Sequence, residues 1–395
     1  MAVSKKIGDS IQNSSWIRRM FEAGNALRAQ HGADRVCDLS LGNPDVEPPA
    51  AVQRALEGIV NAAVPRKHGY MPNAGYPETR AAVAAQVGRE QGVPLTAGMV
   101  VMACGASGAM NVVLKTLLDP GDEVIASIPF FMEYASYVDN HGGRLLTAPT
   151  LPDFDLDVEA IASRITARTA AVIINSPNNP TGRIYPEETL RRLSDALLSA
   201  GRRTGRPIYL IADEPYRKLA YGGAIVPGIM ALYPHSIVVS SYSKDLSLPG
   251  ERIGFTAVNP AADDATRIVD GLILCTRILG YVNAPGLMQR VVAGIQGVSV
   301  DVEIYRRKRD LLCDGLKGLG YDFAVPEGAF YVFPRAPGGD DLAFVKALQE
   351  ELVLVVPGRG FSMPGWFRIA YCVDTPVLER SLEGFRKALE KMHRQ

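Results

Sequence analysis

From about residue 98 to 260 the chain repeats one rhythm: a short β-rich apolar run, a turn of Gly, Pro, Asn or Ser, then a stretch with helical character. The apolar runs cover residues 100–103, 124–126, 171–174, 208–211, 237–239 and 253–255. Most are continuously apolar instead of alternating, which is the pattern of strands covered on both faces, so the segment predicts a parallel sheet with covering helices. In such α/β sheets a ligand sits outside the carboxyl ends of the strands. The residues that follow the runs are strongly polar or turn-forming: Gly105-Ala106-Ser107, Pro129-Phe130-Phe131, residues 175–182, Asp213-Glu214-Pro215-Tyr216 and Ser241-Tyr242-Ser243-Lys244. From about residue 290 the texture changes to a charged helix over 301–319 followed by shorter β-like pieces, as expected of a separate α+β lobe. Residues 15–28 read as an amphipathic helix with Ile17, Met20, Phe21 and Leu27 on its apolar face. There is no internal repeat and no low-complexity tract.

Composition narrows the partners. A chain of 395 residues with 47% apolar and 21% charged residues can bury a large core. Its 42 basic and 42 acidic residues cancel, so no global positive field exists to hold a nucleic acid or an anionic membrane. Small molecules and further copies of the chain are the expected partners. The five cysteines, Cys37, Cys104, Cys275, Cys313 and Cys372, are scattered and odd in number, as suits reduced thiols in a cytoplasmic protein. The polar start lacks the apolar run of a signal peptide, and no apolar stretch of about 18 residues could span a bilayer. The five histidines have no metal-ligand spacing, so no metal is expected.

The candidate chemistry lies at the strand ends. Lys244 follows the 237–239 run, flanked by hydroxyls and followed eight residues later by Arg252, a grouping suited to an imine-forming amine beside a phosphate. Alone, a lysine after a strand is a solvated side chain. Asp213 closes the 208–211 run; it reads either as a helix or turn cap or as a carboxylate that keeps a pyridinium nitrogen protonated, with Tyr216 in reach of the same ring's phenolic oxygen. Residues 175–182, Asn-Ser-Pro-Asn-Asn-Pro-Thr-Gly, have turn composition and carry amides able to bond that oxygen and a substrate carboxylate. The small residues 104–110 join a strand to a helix whose N-terminus would attract an anion. This turn lacks both the lysine of a P-loop and the spacing of a dinucleotide fingerprint.

Taken together, residues 175–182, Asp213-Glu214-Pro215-Tyr216 and Ser241 through Arg252 resemble the class I/II aminotransferases in type, order and spacing. The resemblance runs from Leu41-Gly42-Asn43-Pro44-Asp45 to Phe367-Arg368-Ile369-Ala370. It implies the fold type I α/β architecture with a mostly parallel seven-stranded sheet, pyridoxal 5′-phosphate as cofactor, and a homodimer with active sites at the subunit boundary. It divides the chain into an N-terminal segment (1–40) that joins the small domain, a large cofactor domain (41–290) and a C-terminal small α+β domain (291–395). By resemblance Lys244 is the Schiff-base lysine, Asp213 the pyridinium partner, and Asn179 and Tyr216 the pair at the ring oxygen. Gly105, Ala106, Ser107, Ser241, Ser243 and Arg252 form the phosphate cradle, joined by Tyr70 from the neighbouring subunit, and Phe131 stacks on the ring. Arg368, with Asn179 and Gly42, holds the substrate carboxylate, work that suits the planar fork of an arginine.

The activity so implied is transfer of an amino group between an L-amino acid and a 2-oxo acid by a ping-pong route. A carbon–sulfur β-lyase of the same fold is the closest alternative. A ligand-sensing regulator is disfavoured, because the stretch before Leu41 is too short for a DNA-binding module and linker. The donor is expected to be neutral or aromatic, with 2-oxoglutarate as acceptor. The Gly105-Ala106-Ser107-Gly108 loop has no lysine for a second carboxylate, and in the segment 276–285 only Arg277 could serve. Trp16, Ile17, Phe130 and Tyr134 are the candidate apolar surface for the donor side chain.

Overall fold

The computed structural model describes residues 3–12 and 16–393. Ser15 and the side chains of Ile17 and Phe21 lie outside the described residues. In chain order the strands are β1 Cys37–Asp38, β2 Val100–Ala103, β3 Glu123–Ile128, β4 Arg144–Pro149, β5 Thr169–Asn175, β6 Tyr209–Asp213, β7 Ser236–Ser241, β8 Gly254–Val258, β9 Tyr331–Val332, β10 Val353–Leu354, β11 Val356–Pro357 and β12 Phe367–Ala370.

Seven of them form the central sheet in the order β2-β8-β7-β6-β5-β3-β4. All are parallel except β8, which runs antiparallel to both β2 and β7. Only turns and the short 3-10 segment Pro249–Glu251 separate Ser241 from Gly254, too little chain for a helical crossover, so the strand must return beside its predecessor in the opposite sense. Every residue of β5 is buried, because helices cover both faces of the sheet. One layer packs Val83, Val87, Leu193 and Leu197 against the sheet, and the other packs Val113, Leu114, Val269 and Leu272. All six apolar runs became strands of this sheet. The seventh, β4, sits at the edge with Arg144 exposed and one fully buried residue, Ala148, so its sequence lacks a continuous apolar run.

A second core gathers the chain beyond residue 300, where β11, β12 and β9 make an antiparallel sheet flanked by helices Val302–Gly318, Asp341–Glu350 and Thr375–His393. Asp301 caps the first of these helices, its carboxylate accepting from the Glu303 N–H at 3.1 Å. The N-terminal segment joins this core: β1 pairs in parallel with β10, and Met20, Cys37 and Leu39 are buried within it. Helix Trp16–His31 covers the described part, residues 16–28, of the segment expected to be amphipathic. Among the described residues no helix is long and apolar enough to cross a membrane.

Candidate active site

Where the carboxyl ends of β5, β6 and β7 face β12, the two cores leave a cavity of about 230 Å³. Its wall includes Gly42, Ala106, Ser107, Phe131, Asn179, Asp213, Tyr216, Ser241, Ser243, Lys244, Arg252 and Arg368. The sheet brings these distant segments together because adjacent parallel strands open their following turns on the same edge.

At one end lies an anion cradle. Helix Gly105–Leu117 begins directly after β2, and its N-cap, Cys104, makes no side-chain capping bond, so the first-turn N–H groups at Ala106 and Ser107 are free of helical partners. Gly105 has φ +72°, and a Cβ there would lie 2.8 Å from Nη2 of Arg252; the glycine lets the guanidinium reach the helix terminus. Arg252 is itself left-handed at φ 52°, and its Nη1 donates to the Pro249 carbonyl at 2.8 Å. Free N–H groups, the helix dipole, a guanidinium and the hydroxyls of Ser107, Ser241 and Ser243 suit a phosphate.

At the centre Nζ of Lys244 donates to the Gly42 carbonyl at 2.8 Å and lies 5.6 Å from the centroid of the Phe330 ring. Burial is the main cause that lowers its pKa to about 8; the Cys372 thiol opposes this, while the Arg368 and Arg252 charges add to it. Asp213, the last residue of β6, is held by Tyr134, whose phenol donates to Oδ2 at 2.5 Å. Oδ1 is buried and has no partner among the described residues. Burial raises the Asp213 pKa to about 7, the Tyr134 bond acts against it, and the neighbouring Glu214 charge adds to it. The hydroxyls of Tyr216 and Tyr331 are 2.9 Å apart.

At the far end Arg368 on β12 is 1% exposed. Its Nη1 donates to Oδ1 of Asn179 at 3.0 Å and its Nη2 to the Ser40 carbonyl at 2.6 Å, with the rings of Tyr331 and Phe361 at 4.5 and 4.9 Å. Both acceptors are neutral and Nε is unsatisfied among the described residues, so the buried guanidinium lacks a countercharge. A carboxylate entering the cavity supplies one.

Pyridoxal 5′-phosphate fits these residues. The cradle would suit its phosphate, the orphaned Asp213 Oδ1 its pyridine N–H, and the buried Lys244 amine its aldehyde carbon. Phe131, edge-on to Tyr134 at 5.7 Å, lines the same space.

Other expected residues fall elsewhere. Tyr70 is 93% exposed and borders a separate cleft with Lys67, Met71, Glu251 and Asn283. Arg277 is exposed in the last turn of helix Ala265–Ile278 and is absent from the cavity wall. Of the residues read as apolar donor surface, Phe130 is buried in the core and Trp16 packs near Gly360, whereas Tyr134 lines the cavity with its hydroxyl turned to Asp213. Sequence reading missed the Tyr134–Asp213 bond, Tyr331 and Tyr137. Their positions follow from folding of the chain, and no local motif marks them.

Residues 34–385 match the family profile described as aminotransferase class I and II. The chain is 36% identical over 368 residues to the probable aspartate/prephenate aminotransferase of Thermus aquaticus, covering 91% of this chain and 92% of that relative. Among solved structures an amino transferase from Eubacterium rectale superposes with a TM-score of 0.95 at 40% identity, covering 99% of both chains. A single mutant of Thermus thermophilus aspartate aminotransferase gives 0.88 at 30% identity, covering 98% of this chain and 100% of that one. The chain belongs to the class I and II aminotransferases, and it is a pyridoxal-phosphate-dependent enzyme of that family.

Proposed function

We propose that this aminotransferase takes a neutral or aromatic L-amino acid as donor and 2-oxoglutarate as acceptor, in a ping-pong exchange. The observation that carries the proposal is the census of cations on the cavity wall: Lys244, Arg252 and Arg368 alone, among the described residues. Lys244 holds the cofactor, Arg252 its phosphate and Arg368 the substrate α-carboxylate, which leaves no cation in the chain's own cavity for a second carboxylate. Leu41, Met110 and Tyr137 line the remaining wall. An unpaired carboxylate moved against such a surface loses solvation at a cost of several kcal/mol.

When bound, the cofactor supplies an electron sink for the charge that develops at the substrate Cα. The chain's residues do the rest. Asp213 holds the ring nitrogen protonated, and Tyr216 and Asn179 bond the ring oxygen. Ala106, Ser107, Ser241, Ser243 and Arg252, at the turn opened by Gly105, hold the phosphate. Phe131 covers the ring face. Arg368, with Asn179 and the close approach allowed at Gly42, orients the substrate carboxylate. Lys244, whose free amine burial holds near pKa 8, would serve as the base that takes the substrate Cα proton. The N-terminal segment and the lobe from 291 form a small domain against a large domain, 41–290, and two copies share their sites, with Tyr70 reaching the phosphate of the partner.

The name of the Thermus aquaticus relative favours a second reading, in which aspartate is a donor. On that reading a partner subunit brings Arg277 to the cavity. Steady-state kinetics separate the two. With 2-oxoglutarate as acceptor, kcat/KM for phenylalanine, leucine or methionine is expected to exceed that for aspartate; a value for aspartate tenfold above every neutral donor overturns the proposal.

A further inference from the structure

Each of the two central residues is followed in sequence by a buried carboxylate outside the cofactor cavity: Asp213 by Glu214 and Lys244 by Asp245, both 5% exposed. Glu214 accepts from Nη1 of Arg217 and from Nε2 of Gln91, each at 2.9 Å. Arg217 is fixed in turn by the carbonyls of Glu90 and Val226, each 2.7 Å from Nη2. Asp245 accepts from Nζ of Lys218 at 2.9 Å through Oδ2. These groups meet around a second, small polar cavity of about 30 Å³ behind the cofactor site.

The Lys218–Asp245 pair joins two turns on neighbouring strands. Lys218 belongs to the turn that follows β6, just beyond Asp213 and Tyr216, while Asp245 adjoins Lys244 in the turn after β7. Both partners also touch the chain passing from helix Gly286–Ala293 to helix Val302–Gly318. The Val300 N–H donates to the Asp245 carbonyl at 2.7 Å, and Nζ of Lys218 lies 3.5 Å from the Val298 carbonyl.

We infer that Asp245 and Lys218 are positioning residues that fix the Lys244 turn against the Asp213 turn and against the connector between the two lobes. A buried ion pair is often no more stable than well-packed apolar groups, so stability alone does not explain a buried Asp245 carboxyl paired with a half-buried Lys218 ammonium. Loss of Lys218 leaves the buried Asp245 carboxyl unbalanced one residue from Lys244, and loss of Asp245 leaves the half-buried Lys218 ammonium without that partner. The charged and titratable groups facing Lys244 are Arg252, Arg368 and Cys372; those facing Asp245 are Lys218, Glu90 and Tyr242. Burial raises the Asp245 carboxyl and Lys218 opposes that, so loss of Lys218 pushes Asp245 toward its neutral form, and whatever charge it keeps favours protonated Lys244; loss of Asp245 leaves an ammonium that disfavours it.

The inference rests on the assignment of the cofactor to Lys244, and the test keeps the two apart. Holoenzymes carrying Asp245→Asn, Lys218→Met and Lys218→Arg are reduced with borohydride and mapped, then titrated without substrate by the pH dependence of the cofactor absorbance. With the label on Lys244, Asp245→Asn is expected to move the midpoint down and Lys218→Met to move it up, each by about half a unit or more. Lys218→Arg is expected to keep the midpoint of the unaltered enzyme. For Asp245→Asn kcat is expected to fall about tenfold, with KM within about threefold. Midpoints that stay put in Asp245→Asn and Lys218→Met, or move the same way, overturn the inference even if both variants melt earlier. Should either fail to fold, the other decides by the sign of its shift. A label on a different lysine overturns the underlying assignment instead.

Discussion

The phenol of Tyr134 donates to Oδ2 of Asp213 at 2.5 Å, which leaves the buried Oδ1 as the free acceptor of that carboxylate. One side chain from the helix after β3 thus sets which oxygen of the β6 aspartate is left without a partner. It also holds the carboxyl below the pKa that burial alone would impose.

Tyr134→Phe removes that bond while keeping the ring. A hydrogen bond to a charged group contributes about 1.5–3 kcal/mol, so cofactor affinity and kcat are each expected to fall about tenfold or more. The loss should deepen as pH falls toward 7 and level off below it, because the carboxyl, held to about 7 with the Tyr134 bond, climbs higher without it and protonates first. Cofactor dissociation constants measured between pH 6 and 8 check this; affinities within twofold of the unaltered enzyme at every pH would show that Tyr134 does not act on Asp213.

Gly42→Ala should disable the site through shape. A Cβ at Gly42 would lie 1.9 Å from the Tyr331 hydroxyl oxygen and 2.8 Å from its Cζ. Tyr331 or the Gly42 backbone must move, which breaks the Tyr216–Tyr331 contact or shifts the carbonyl that accepts from Lys244. Overpacking of this kind costs about 1–3 kcal/mol. The expected result is a melting temperature a few degrees lower and a kcat/KM reduced by about a hundredfold, read by calorimetry and kinetics on the same preparation.

The depressed pKa of Lys244 predicts a pH dependence in the cofactor-free protein. With a value of about 8 against 10.5 for a free lysine, the unfolded chain takes up this proton first as pH falls. The stability contributed by this group is accordingly lost between about pH 10 and pH 8 and is level below. Reductive methylation mapped by peptide should label Lys244 with a midpoint near 8 while exposed lysines label near their ordinary value; a midpoint above 10 would contradict the burial argument.

Tyr70 is predicted to act in the neighbouring subunit. It is almost fully exposed and borders a cleft apart from the Lys244 cavity of its own chain. Dimers mixed from Tyr70→Phe and Lys244→Ala subunits would carry both defects in one site and neither in the other. One native-like site per mixed dimer is expected; no recovered activity would place Tyr70 in its own subunit's site or outside the reaction.

The sheet and most of the cavity wall were legible because parallel strands buried on both faces write continuous apolar runs, and their following turns hold the polar residues. Ser241 through Lys244 and Asp213 through Tyr216 could be found on that basis alone. Strand β4 could not, since an edge strand with Arg144 exposed and Ala148 alone fully buried carries no such run. The bond from Tyr134 to Asp213 was not legible, because a tyrosine in an aromatic cluster gives no sign of where its hydroxyl points. The pairing of Lys218 with Asp245 was equally hidden: it joins residues 27 apart through the register of β6 against β7. The part of the cavity wall formed by Leu41, Met110 and Tyr137 has no local signature at all.

The central claim is that the buried Lys244 amine carries the cofactor of this aminotransferase. Borohydride reduction of the holoenzyme followed by peptide mapping tests it most directly. The cofactor is predicted to be fixed to the peptide containing Ser241-Tyr242-Ser243-Lys244, with Lys244→Ala folded but unlabelled there and inactive in transamination; a label on any other lysine, or full activity in Lys244→Ala, would contradict the account.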